Sequence, residues 1–175
     1  YGTRAALLYA LEHPAHVRTL TLDGAVPLAQ RFPLSTAEDG QRALDLLLQR
    51  CAADAACHAR FPDLADRIAS LFDRVRDPRP VLMRNPLTAQ EWRGTVDWRV
   101  LGSALRTLLY PPHHTTLVPY VPYRAAADDW APFFAMLADA SGSTVDTMAL
   151  GMTLSVLCTE DVPRINPEAP AAKLG

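Results

Sequence analysis

The sequence predicts an α/β chain in two parts: a partial parallel-sheet core of one helix plus one strand, and a mainly helical insertion. Three observations carry this. Residues 3–13 form an apolar helical run, which Pro14 ends and the β-rich run 17–22 follows. After Pro27 the texture changes, and from about residue 36 to 157 one helical periodicity follows another. Fifteen prolines are spread over the 175 residues, which suits many short helices with firm ends rather than a disordered tract. The expected organisation is a core segment over 1–30, a helical domain over 31–157 and a return segment over 158–175.

Taken in order, the 3–13 run is apolar nearly all round and is expected to be buried. Val17–Leu22 reads as a short strand, and Asp23-Gly24 turns the chain. Helix, proline turn, strand and Asp-Gly together make half of a βαβ unit in a parallel sheet. In the helical part, Ala43, Leu44, Leu47, Leu48 and Cys51 share one face. Leu64, Ala65, Ile68, Leu71, Phe72 and Val75 share another, which Asp77-Pro78 ends. Residues 81–84 and 92–96 suit a small hairpin around Asn85-Pro86. Asp97 reads as the N-cap of a helix with Leu101, Ala104, Leu105, Leu108 and Leu109 on its apolar face, stopped by Pro111-Pro112. Two helices are expected at about 115–127 and 130–140, then a loop at Ser141-Gly142-Ser143. A last apolar element over 145–157 delivers Cys158-Thr159-Glu160-Asp161, and the tail from Pro163 has an exposed character.

Composition narrows the function classes. Hydrophobic residues are 49% and charged residues 21%, the balance of an ordinary globular protein. A net charge of -2 gives no basic surplus for nucleic acid, and no polybasic run suits anionic lipid. The apolar stretches are broken within a dozen residues, so no membrane span is expected in this segment. Of 17 basic residues only Lys173 is a lysine, which reads as coding bias rather than phosphate binding.

The three cysteines, Cys51, Cys57 and Cys158, do not make a complete disulfide framework. On an unbroken helix Cys51 and Cys57 would face ways about 240° apart. If Asp54 caps a new helix, the chain turns between them and a bridge can close; otherwise both are buried thiols. A bridge would favour a secreted or periplasmic protein. No His or further Cys lies at metal-ligand spacing, so no metal is expected.

Tyr1-Gly2-Thr3-Arg4, the apolar helix, His13-Pro14 and the run ending Leu22-Asp23-Gly24 resemble the α/β-hydrolase region just after the nucleophile. That fold carries Gly-x-Ser-x-Gly at a strand-to-helix turn. Tyr1-Gly2 would be its last two residues, with the serine directly before Tyr1. The resemblance implies that this is an internal piece of a longer enzyme, and that the Tyr1 backbone N–H is an oxyanion donor. Cys51-x5-Cys57 with Arg60-Phe61-Pro62-Asp63-Leu64, then Asp97-Trp98-Arg99, Leu108-Leu109-Tyr110-Pro111 and Cys158-Thr159-Glu160-Asp161, resemble the cap of tripeptidyl-aminopeptidase-like and proline-iminopeptidase-like hydrolases. The fold so implied is an α/β-hydrolase fragment with a helical cap. The activity so implied is removal of residues from peptide N-termini through an acyl-enzyme, without metal or organic cofactor. The triad acid and histidine would follow the cap, so this segment alone would be inactive. A carboxylesterase or lactone hydrolase on the same scaffold, and a non-catalytic helical binding module, are the alternatives.

An enzyme acting at a free N-terminus needs a carboxylate to hold the substrate ammonium. Glu160 and Asp161, which follow the last apolar run, are the candidate anchors; otherwise they cap a helix or pair with an arginine. Asp128-Asp129 could serve likewise, but adjacent acids before Trp130 also suit a helix cap. Asp23 ends a strand as a triad acid would, yet Asp-Gly also suits a simple turn. His113-His114, between Pro-Pro and Thr-Thr, read as a surface loop. His13 and His16 read as solvated, and His58 as part of a short cap helix. Trp92, Trp98, Tyr110, Tyr120, Tyr123, Trp130, Phe133 and Phe134 divide between cap core and an apolar substrate cleft.

Overall fold

The computed structural model describes residues 1–84, 88–145 and 149–166, without the side chains of 140–145. The chain divides into two compact units. One combines Tyr1–Glu38 with Ala149–Gly175, and the other is Asp39–Met148. The last apolar helix therefore groups with the N-terminal segment rather than with the helical insertion.

The unit Asp39–Met148 contains the hydrophobic core. Most of helix α2 (Thr36–Ala53) belongs to it and contributes Leu44 and Cys51 to the core. Asp54 then leaves helical geometry and accepts the Cys57 N–H at 2.8 Å, so it caps α3 (Ala55–Arg60). The break brings Cys51 and Cys57 to a Cα separation of 5.1 Å, and they are joined as a disulfide. Helix α4 (Leu64–Arg74) buries Leu64, Ile68 and Leu71, which lie on one stripe at helical spacing.

Strands β1 (Arg79–Arg84) and β2 (Glu91–Val96) pair antiparallel, with Arg79 opposite Val96 and Arg84 opposite Glu91. The Asn85-Pro86 turn lies outside the described residues. Val81 and Val96 sit on the core face. The Trp92 ring lies across Gly94, two residues on and on the same face, and a Cβ at Gly94 would collide with it. Asp97 accepts the Val100 N–H at 2.8 Å and caps α5 (Trp98–Leu108), whose buried residues are Leu101, Ala104, Leu105 and Leu108.

The segment expected as one helix over 115–127 is two: α6 (Pro112–Thr115) and α7 (Tyr120–Ala126). Helix α8 (Ala131–Val145) runs through Ser141-Gly142-Ser143, where a loop was expected. Continued helical hydrogen bonding there outweighs the weak propensity of glycine and serine. Phe133 on α8 is fully buried and meets Trp130 and Phe134 edge to face.

In the other unit, helix α1 (Gly2–Glu12) forms but buries none of its residues, and Leu8, Tyr9 and Leu11 are exposed. An apolar helix face is buried only where another element covers it, and none of the described elements does so here. Residues 17–22 form no strand, because a strand needs a ladder partner and none pairs with them among the described residues. The sheet described is the antiparallel pair β1–β2, not a parallel core. No described helix is long and apolar enough to cross a membrane.

Phe133→Ala empties a fully buried aromatic site, while Leu82 stands exposed on the outer face of the hairpin. Phe133→Ala is expected to lower unfolding free energy by about 3–5 kcal/mol. Leu82→Ala should change it by less than about 0.5 kcal/mol. Urea titration followed by circular dichroism checks both values.

Candidate functional site

The first four residues hold the first unit together. Thr3 Oγ1 accepts the Val26 N–H at 3.2 Å, fastening the 24–32 loop to the start of α1. Arg4 reaches further. Its guanidinium donates from both terminal nitrogens to the Asp161 carboxylate, at 2.9 Å each, and also to the Gln30 carbonyl. This is the planar two-point pairing that arginine makes best with a carboxylate.

Asp161 arrives from the other end of the sequence. Helix α9 (Leu150–Val156) widens into a π-helical turn over Leu157–Asp161. Such turns are rare and concentrate at functional positions. Asp161 is the buried end of this turn, with its side chain 2% exposed, against 13% for Arg4. The Arg4 hydrogen bond holds the Asp161 carboxyl below its usual range; burial opposes that, and the Phe32 N–H and the nearby Arg31 charge add to it. The Arg4 guanidinium is correspondingly raised, first by the same hydrogen bond.

A cavity of about 270 Å³ opens beside this pair. Arg4 and Asp161 form its polar end. Tyr1, Val26, Phe32, Met152, Val156 and Leu157 form most of the remaining wall. Two of the residues singled out by sequence, Tyr1 and Asp161, thus meet at one cavity. Glu160 does not line it; the residue is half-buried and makes no hydrogen bond among the described residues. The arginine partner of Asp161 is Arg4. The signal that could have found it is the place of Arg4 within Tyr1-Gly2-Thr3-Arg4, where an arginine on the first turn of an apolar helix needs a partner.

The other acidic pair has arginine partners. Asp128 pairs with Arg74 at 2.6 Å, and Asp129 pairs with Arg124 and accepts the Ala131 N–H at the start of α8. Asp23 is exposed. His114 departs from the surface-loop expectation. Thr115 donates from both its N–H and Oγ1 to the Pro111 carbonyl, closing a helical turn that buries the His114 side chain. Comparison with family models, with curated proteins and with solved structures found no match.

Asp161 binds a proton less readily in the folded chain than in the unfolded one. The stabilisation it supplies is therefore full above its ordinary value of 3.8, and falls away as the pH drops from there through the lower folded value. Asp161→Asn should flatten the acid limb of the stability curve below about pH 4. Arg4→Met, which strands the buried carboxylate, should cost about 3 kcal/mol at neutral pH. Urea midpoints measured between pH 3 and 7 test both expectations.

Proposed function

We propose that this chain carries the acyl-binding wall and the cap of a serine hydrolase that removes residues from peptide N-termini. The observation that supports it best is the meeting of Tyr1, at the N-terminus of α1, with the polar end that Arg4 and Asp161 make at one mainly apolar cavity. In this reading a serine directly before Tyr1 is the nucleophile. Its attack on the scissile carbonyl produces an oxyanion, which the Tyr1 N–H and the positive end of α1 stabilise. The apolar wall of Phe32, Met152, Val156 and Leu157 takes the side chain next to the scissile bond. Histidine and triad acid come from beyond this chain, and the helical unit is the cap.

Arg4 changes which acid can anchor the substrate amine. Asp161 is already held at two points by Arg4, so its carboxylate is a brace of the cavity end rather than a free acceptor. Glu160 is the remaining acid of the pair and the anchor in this reading, reaching the substrate amine from beside Arg4 rather than from the cavity wall, which it does not line. Its charge acts on Arg4 without a hydrogen bond to it, which leaves its oxygens for a substrate ammonium.

A second reading, a carboxylesterase on the same scaffold, draws on the same pair. Arg4 and Arg31 balance Asp161 and Glu160, so the cavity end has no net negative charge to favour an ammonium. One experiment separates the two. The gene product containing this chain with its flanking residues is assayed on aminoacyl and tripeptidyl chromogenic amides and on simple acyl esters. The peptidase reading predicts that Glu160→Gln loses amide cleavage at least about tenfold, a charge-assisted hydrogen bond's worth, and keeps the esters. Ester cleavage alone, unchanged by Glu160→Gln, would establish the second reading; no cleavage of either would sink both.

A further inference from the structure

We propose that His113, His114 and Asp139 form a surface site for a divalent transition metal of the zinc class. The proposal concerns the unit Asp39–Met148 and does not depend on the hydrolase reading. One ligand atom from each of these three residues lies within 4.8 Å of the other two. His114 Nε2 stands 2.9 Å from Asp139 Oδ2, and the His113 and His114 rings have centroids 4.1 Å apart. Two imidazoles and a carboxylate are the donor set that suits zinc, copper or nickel, whereas magnesium and calcium want oxygen alone.

The turn Pro112–Thr115 is pinned by Pro111 and Thr115, so the two histidines come from one short rigid piece of backbone. Asp139 comes from the third turn of α8, 25 residues on. Such a site combines a fixed pair with a ligand from a second element, and it closes a long loop when it fills. The sequence shows no such pattern, because Asp139 lies too far along the chain for any ligand spacing to reveal it.

A second observation points to a ligand. The His114 side chain is only 7% exposed, and its Nδ1 is buried with no hydrogen-bond partner among the described residues. A buried ring nitrogen without a partner carries a desolvation cost. Nε2, the ring nitrogen beside Asp139, is the one placed to bind a cation, and the buried Nδ1 has no hydrogen-bond partner among the described residues that would fix the tautomer of the ring. Asp139 is 76% exposed and His113 is also exposed, so a cation can reach the site from solvent. Zinc sits about 2.0–2.2 Å from nitrogen and oxygen donors. Tetrahedral donors at that distance stand roughly 3.4 Å apart, so filling the site needs the wider-spaced donors to close and the 2.9 Å contact between His114 and Asp139 to open slightly, which rotation of the two exposed side chains supplies. Three protein ligands leave a fourth position for water.

The test uses the untagged protein in a Cys158→Ser background, since Cys158 is an exposed free thiol that could take zinc by itself. After chelator treatment, zinc chloride is titrated calorimetrically, and cobalt chloride is titrated with detection of visible absorption. The expected result is one bound equivalent and a cobalt spectrum of nitrogen and oxygen ligation. His113→Ala and Asp139→Asn should each weaken binding about tenfold or more, and His58→Ala should not. His113 and Asp139 are both exposed, so circular dichroism should show that their variants fold. Absence of a saturable equivalent in the starting protein would overturn the proposal. So would zinc affinity unchanged in both folded variants.

Discussion

The two-point ion pair between Arg4 and Asp161 is the interaction on which the first unit depends. It joins residues 157 apart in sequence and draws the 24–32 loop in through the Gln30 carbonyl and the Phe32 N–H. Helix α1 buries none of its residues, so hydrophobic packing does little of this work. Taking both charges out of water is costly; the two-point geometry, the Gln30 carbonyl and the Phe32 N–H offset that cost, while Arg4 Nε stays buried without a hydrogen-bond partner among the described residues. Such a pair is better understood as fixing one arrangement than as adding stability. What it fixes is the polar end of the cavity, with Tyr1 at the same wall.

The larger unit rests on different physics. Its stripes of leucine, isoleucine and valine meet Phe133 and Trp130 in one core, and side-chain caps mark where its helices begin. Local signals of that kind can be read from a sequence. Asp54 and Asp97 are both followed three residues later by the N–H that each accepts, and the β1–β2 pairing includes the strands expected at 81–84 and 92–96. The disulfide belongs to the same class, because the Asp54 cap is what turns Cys57 back toward Cys51.

Non-local partners were not legible. The burial expected of residues 3–13 and the strand expected at 17–22 both presuppose neighbours that the pattern alone cannot supply. Glu160 and Asp161 stood out as an acidic pair after an apolar run, but nothing in the run says which of them turns inward. The π-helical widening settles that by burying Asp161 against Arg4. The burial of His114 escaped for a similar reason. Pro-Pro and Thr-Thr look like loop residues, yet here proline starts a helical turn and threonine closes it. For α1, for 17–22 and for Asp161 the deciding contact is made by a residue that the local pattern does not contain, whereas at His114 the local residues were present but suit a loop and a helical turn alike.

The central proposal is that a nucleophilic serine directly precedes Tyr1, which lines this cavity. The most direct measurement labels the gene product containing this chain with a fluorophosphonate and locates the modified residue by peptide mass spectrometry. The account predicts a single modified serine, immediately before Tyr1. Labelling at a serine elsewhere, or none in protein that is folded, would contradict it.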